Sequence, residues 1–188
     1  MDALTILCSE IRELERFTVF KSTQIDEVQD MLVAAIAPHR LEPANKIIDA
    51  SLHRIALGDL SVLLLRYGAE VVVLPEPSDD VILVTIMLSG EYVVSDDVSR
   101  FTACVGDAFI LESFQGLQLA ASADAETLIV PLRRAAIARA AEALSGRAAP
   151  RHYGFDRHFP LNASGGMALS QLLQYLTVQA MAGNEALD

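Results

Sequence analysis

Residues 52–113 read LHRIALGDLSVLLLRYGAEVVVLPEPSDDVILVTIMLSGEYVVSDDVSRFTACVGDAFILES, and this stretch decides the fold. Short apolar runs are cut at brief intervals by turn residues: Gly58-Asp59, Gly68, Asp79-Asp80, Gly90, Asp96-Asp97 and Gly106-Asp107. Glycine tolerates the left-handed backbone that tight turns demand, and aspartate ties a turn with its own carboxylate. Regular spacing of this kind marks a compact antiparallel barrel or sandwich. The strands are expected from about residue 52 to about residue 132, eight or nine in number, ending with the run AETLIVPLR. A small closed barrel is either filled with side chains or encloses one small ligand, so function turns on its interior.

The rest of the chain reads as helices attached to that barrel. Within 22–38, Val28, Met31, Leu32, Ala35 and Ile36 share a helical face. Ser22 or Thr23 can cap the first turn, Asp26 and Glu27 suit its positive end, and Pro38 follows. Residues 39–51 read as a polar connection. Residues 134–145, RAAIARAAEALS, form a strong helix by propensity, with Ile137, Ala140, Ala141 and Leu144 on one side and Gly146 as a stop signal. After a loop holding His152, Tyr153, Phe155 and His158, a last helix is expected over 166–181. Its stripe of Leu169, Leu172, Leu173, Leu176 and Ala180 carries almost no charge on either flank. Such a helix leaves apolar surface that a second copy of the chain can cover, so Leu169, Leu172, Leu173 and Leu176 are candidate dimerisation residues and a homodimer is expected.

At 188 residues the chain is sized for one domain, with 14 basic against 25 acidic residues and a formal charge of -11. That balance repels a phosphate backbone, so direct nucleic-acid binding is not expected. Cys8 and Cys104 form no CxxC pattern, which argues against a disulfide framework or a zinc site and fits a reducing cytoplasm. The N-terminus mixes acids and arginines where an export signal keeps an apolar core. Residues 160–184 carry no formal charge, yet Asn162, Gln171, Gln174, Gln179 and Gly165-Gly166 point to packing on protein rather than a membrane span.

The ordered series LHRIALGDLSVLLLRYGAEVVV, LVTIMLSGEYVV, GDAFILES and LIVPLRRAAIARAAEALSGRAAP resembles the N-terminal domain of AraC/XylS-type transcriptional regulators. Each motif alone is weak, being turn glycines and strand hydrophobes, but their order is specific and covers most of the chain. The resemblance implies a cupin-like barrel followed by helices, serving effector sensing and dimerisation; with the helices read above, the fold expected is a mainly β, cupin-like antiparallel barrel or jelly roll with one N-terminal and two C-terminal helices. It also implies that DNA is read by a separate C-terminal domain with two helix-turn-helix units. Nothing after Met181 can make such a unit, so residues 1–188 are expected to be the sensor domain alone, as a piece or a natural truncation of a longer regulator. A DNA partner is then expected only through that missing domain.

Many cupin folds are metalloenzymes, and the residues here do not follow that pattern. Metal-binding cupins alternate two histidines on one strand, whereas this chain has His39, His53, His152 and His158, no HxH, and only His53 in an expected strand. No nucleophile elbow, dinucleotide turn or phosphate loop occurs, so neither enzyme activity nor a metal or other cofactor is expected. A ligand pocket is the sharper expectation. In residues 81–88, Ile82, Val84, Ile86 and Leu88 form one face and Val81, Leu83, Thr85 and Met87 the other. The second face holds a hydroxyl and a flexible thioether and is expected to line the cavity. His53, Arg66 and Tyr92 are further candidates for its polar groups. Arg66 can equally lie outside and pair with Glu70 or Glu91, and Tyr92 can equally be core. The function expected is that of a small-molecule sensor and dimerisation domain. A freestanding cupin-like enzyme or carrier, or a solid barrel that only dimerises, is the alternative.

Overall fold

The computed structural model describes residues 3–182 apart from 14, 46, 59 and 151. Its nine strands between Ala50 and Arg133 match the expected number: β3 (Ala50–Leu57), β4 (Leu60–Arg66), β5 (Val71–Pro75), β6 (Val81–Ser89), β7 (Glu91–Ser95), β8 (Arg100–Cys104), β9 (Asp107–Leu111), β10 (Gln118–Ala121) and β11 (Glu126–Arg133). Three more were not anticipated: β1 (Thr18–Ser22), β2 (His39–Pro43) and β12 (His158–Pro160). All pair antiparallel, in a seven-stranded sheet ordered β1-β3-β4-β11-β6-β9-β12 and a five-stranded sheet ordered β2-β5-β10-β7-β8. Gly68 and Gly90 sit at corners with φ of +66° and +64°, where any side chain would strike Asp49 or Ala125. Asp59, expected at another corner, lies outside the described residues.

Two apolar layers explain the long hydrophobic runs. On β4, Leu63 and Leu65 face the space between the sheets, while Val62 and Leu64 face the outer side of the larger sheet. On β6 the same alternation sends Leu83 and Met87 inward and Val84 and Ile86 outward. Strands buried on both faces lose the usual apolar/polar alternation, which is why the runs read as continuous. Two helices cover the outer layer. One is α1 (Ala3–Glu13), absent from the sequence expectation, whose Leu4, Cys8 and Ile11 are fully buried. The other is α4 (Ser164–Met181), which contributes Leu173. A 3-10 turn (Glu15–Phe17) follows α1, and there Arg16 donates to the Met181 carbonyl at 2.6 Å, binding the end of α4.

Two sequence expectations need correcting near α2 (Ile25–Ala35). Residues 18–22 are strand, and the cap position belongs to Gln24, which makes no side-chain cap bond. Ser22 instead accepts the Gln24 N–H at 3.1 Å and donates to Glu27. The expected face of α2 is right: Val28 and Leu32 are fully buried, with Met31, Ala35 and Ile36 packed beside them. The supposed polar connection contains β2, whose alternation of His39 and Leu41 inward with Arg40 and Glu42 outward is a short strand pattern overlooked among the charges. α3 (Arg134–Ser145) ends as expected at Gly146, φ +67°, but buries no residue fully, and Leu144 is solvent-exposed.

Candidate functional site

A cavity of about 50 Å³, partly open at one end, lies between the sheets. Its floor is apolar, formed by Leu65, Leu83, Phe109, Phe114 and Ile129, and its mouth is the turn from α2 into β2, Ile36-Ala37-Pro38-His39. Among the described residues no Lys, Arg, Asp or Glu lines it. The polar atoms come from Tyr67, Thr85, Tyr92 and His39. Burial pushes both phenols up in pKa, and Tyr67 and Tyr92 face each other, so they stay neutral at any physiological pH. Thr127 lies beside Tyr92, its buried hydroxyl short of a well-formed hydrogen bond.

His39 is the most informative of the four. Its Nδ1 lies 2.7 Å from the Ala37 carbonyl, a contact that requires a proton on that nitrogen. Burial pushes its pKa down, against smaller upward pulls from the Ala37 carbonyl and Glu76, so the ring is neutral. Nε2 is then a bare acceptor, shielded from solvent and without a donor among the described residues. A buried acceptor left unpaired costs roughly 1–3 kcal/mol, which marks this ring as a place where a donor from elsewhere would be favourable.

The residues singled out in sequence divide between inside and outside. Thr85 and Tyr92 line the cavity, and Met87 is buried in the same core beyond its wall. His53 and Arg66 do not reach the interior. Ala50 and Leu52 are the inward residues of β3, so His53 faces the outer side, its Nδ1 3.3 Å from the Thr18 hydroxyl. Leu63 and Leu65 are the inward residues of β4, which sends Arg66 out to solvent, 3.9 Å from Asp49 rather than beside Glu70 or Glu91. Both line an outer recess with Arg12 and Lys21. Sequence reasoning missed His39 and Tyr67. The alternation of HRLEP could have revealed the first, and the step from Leu65 to Tyr67 on one inward face could have revealed the second.

A larger surface cleft of about 440 Å³ runs along Asp96, Glu112 and Arg157. Asp96, Glu112 and Arg157 are already engaged. Arg157 donates to Asp96 and to the Ser99 hydroxyl, each at 2.7 Å, and Asp96 holds its own turn through the Val98 and Ser99 N–H groups. The Glu112 carboxylate accepts the Tyr153 and Phe155 N–H groups. These bonds fasten the segment before β12 to the sheet. Among the described residues no group of three or more His, Cys, Asp or Glu could hold a metal ion, and no helix is long and apolar enough to cross a membrane.

The leucine stripe of α4 is also split. Leu173 is buried and Leu169 and Leu176 pack on the outer core, whereas Leu172 is 54 % exposed beside Met167, Tyr175 and Val178. The four leucines therefore do not form one free face. Three hold α4 to the sheet, and one joins an outward apolar patch.

Comparison with known proteins places this geometry in context. A family model described as an AraC-binding-like domain matches residues 28–188. Among solved structures, the AraC-like transcriptional activator CuxR is similar over 88 % of this chain, with a TM-score of 0.61 and 15 % identity. The chain spans 61 % of the length of that protein, and the likeness is one of fold. KdgF from Halomonas sp. is similar over 52 % of this chain and 90 % of its own, at 14 % identity and a TM-score of 0.38. The EutQ protein of Clostridium difficile shows 11 % identity over 50 % of this chain and 75 % of its own, also at 0.38. No curated protein sequence matches.

Proposed function

The chain belongs to the AraC-binding-like domain family, and from that premise we propose that it is the effector-binding and dimerisation domain of a cytoplasmic AraC-type regulator and not an enzyme. A small molecule occupies the cavity between the sheets, two copies pair through α4, and DNA is bound by a domain outside these residues. The observation that carries this reading is the apolar cavity between the sheets, with the buried, unpaired Nε2 of His39 at its edge.

The layering suggests how a signal travels. Leu83 and Thr85 of β6 touch the cavity, while Val84 and Ile86 of the same strand pack in the layer that holds α1 and α4. A ligand that shifts β6 or β11 therefore acts on α4 through a single strand thickness, because close-packed interiors pass on displacement rather than absorb it. It biases α4 only insofar as it binds one arrangement better than the other.

A second reading, a module that only dimerises, is favoured by the size of the cavity, since ligand sites commonly run to about 300–1,000 Å³. Thermal unfolding in the presence of a small-molecule library separates the two. A ligand at about 100 times its Kd adds about 2.7 kcal/mol to stability and raises Tm. A raised Tm that is lost when Thr85→Leu fills the cavity supports the sensor, and a library without effect supports the solid module.

A further inference from the structure

The geometry points to an uncharged, mainly apolar ligand that presents one O–H or N–H donor to Nε2 of His39. This rests on the sensor reading above and narrows it to a ligand class. Three observations carry it. The ring is more than nine-tenths buried and lines the cavity. Its Nδ1 is taken by the Ala37 carbonyl, which fixes the tautomer and leaves Nε2 able only to accept. Nε2 has no partner among the described residues. Among the described residues the remaining wall contains no cation, so a carboxylate or phosphate would lose its water without gaining a counter-charge. Tyr67, Thr85 and Tyr92 offer hydroxyls, which tolerate a neutral polar group but do not neutralise an anion.

The position of His39 explains how entry and recognition are joined. Nε2 has almost no surface open to water, so a ligand donor reaches it only with a local shift of the side chains around it, and the adjoining Ile36-Ala37-Pro38 turn supplies the carbonyl holding Nδ1. A donor on the ligand satisfies the orphaned nitrogen, and an isosteric group without a donor does not. The site thus discriminates by leaving its own acceptor unpaired with the wrong ligand.

Phenol, toluene and benzoate test this on the 188-residue chain, being rings of similar size with a donor, a methyl group and a carboxylate. Binding is measured by calorimetry, and the imidazole nitrogens are followed by 15N NMR on histidine-labelled protein. Phenol is expected to bind about tenfold tighter than toluene and benzoate and to move the His39 Nε2 resonance toward that of a hydrogen-bonded nitrogen. In His39→Phe the preference for phenol over toluene is expected to vanish. Benzoate binding as tightly as phenol, or phenol binding without moving Nε2, overturns the ligand class while leaving the sensor reading intact. A free protein whose Nε2 already resonates as hydrogen-bonded overturns it also, on unmutated material. Failure of all three probes to bind at millimolar concentration overturns the ligand class, and the library melts above then decide the sensor reading separately.

Discussion

Arg12 of α1 donates to the carboxylate of Glu126 at the start of β11, at 3.0 Å and across 114 residues of chain. Glu126 is the one buried acid among the described residues, and burial raises its pKa against the opposing pull of Arg12 and Arg66. The pair pins α1 over the outer apolar layer, so the helix is fastened by a charge as well as by Leu4, Cys8 and Ile11.

Removing the guanidinium leaves Glu126 with less compensation. Arg12→Ala is expected to cost about 1–2 kcal/mol at neutral pH, below the figure for fully buried pairs because Arg12 is partly solvated. A carboxyl whose folded pKa is raised contributes stability below its ordinary 4.5 and loses that contribution as pH rises through the folded value. The deficit of Arg12→Ala should therefore be largest near neutrality and shrink as pH falls toward 4.5. Urea unfolding across that window checks it, and a deficit that does not vary with pH rejects the account.

Two histidines set the acid side of the stability profile. Burial lowers the pKa of His39, and burial with Lys21 and Arg12 nearby lowers that of His53. A base with a lowered folded pKa gives its full stability above the ordinary 6.5 and loses it as pH falls through the folded value. The chain should thus weaken as pH falls below about 6.5, and His39→Phe and His53→Phe should each flatten that decline. Denaturant midpoints at several pH values decide it, since an unchanged slope in both variants would exclude the two rings as its source.

α4 has an inward and an outward face with different duties. Leu173→Ala opens a cavity in the outer layer and should cost about 2–4 kcal/mol. Leu172→Glu touches a half-exposed position and should change monomer stability by less than about 0.5 kcal/mol. If α4 is the dimer contact, Leu172→Glu alone should convert a dimer to a monomer in sedimentation. A dimer that survives Leu172→Glu and Tyr175→Glu together places the contact elsewhere.

The adjacent glycines at the start of α4 should respond in opposite ways. A Cβ on Gly166 would sit 2.6 Å from the Leu161 Cα and the Pro160 carbonyl, whereas one on Gly165 meets nothing within 4 Å. Gly166→Ala should push α4 off the turn after β12 and lower stability by about 1–3 kcal/mol. Gly165→Ala should be neutral or stabilise by up to about 1 kcal/mol, because alanine suits a helix better. Thermal melts of the two variants give the comparison directly.

Antiparallel β structure, the span of β3 to β11, the apolar face of α2 and the stop of α3 at Gly146 could all be read from the residues, because turn chemistry and periodicity are local properties. So was the division of β6 into two buried faces, and the choice of Thr85 and Tyr92 as inward residues. The elements that escaped are short or mixed in composition. β1, β2 and β12 are held by partners distant in sequence, and α1 gains its stability from the sheet it covers rather than from propensity.

Local pattern alone therefore determined that the chain makes strands, helices and two apolar layers, since spacing dictates which side chains share a face. Which layer is the inside was a tertiary decision: register set His53 and Arg66 outward, and folding back the charged HRLEP segment brought His39 to the cavity mouth. A strand carries two faces of equal standing until a second sheet closes over one of them, and only that closure separates a cavity wall from a helix bed.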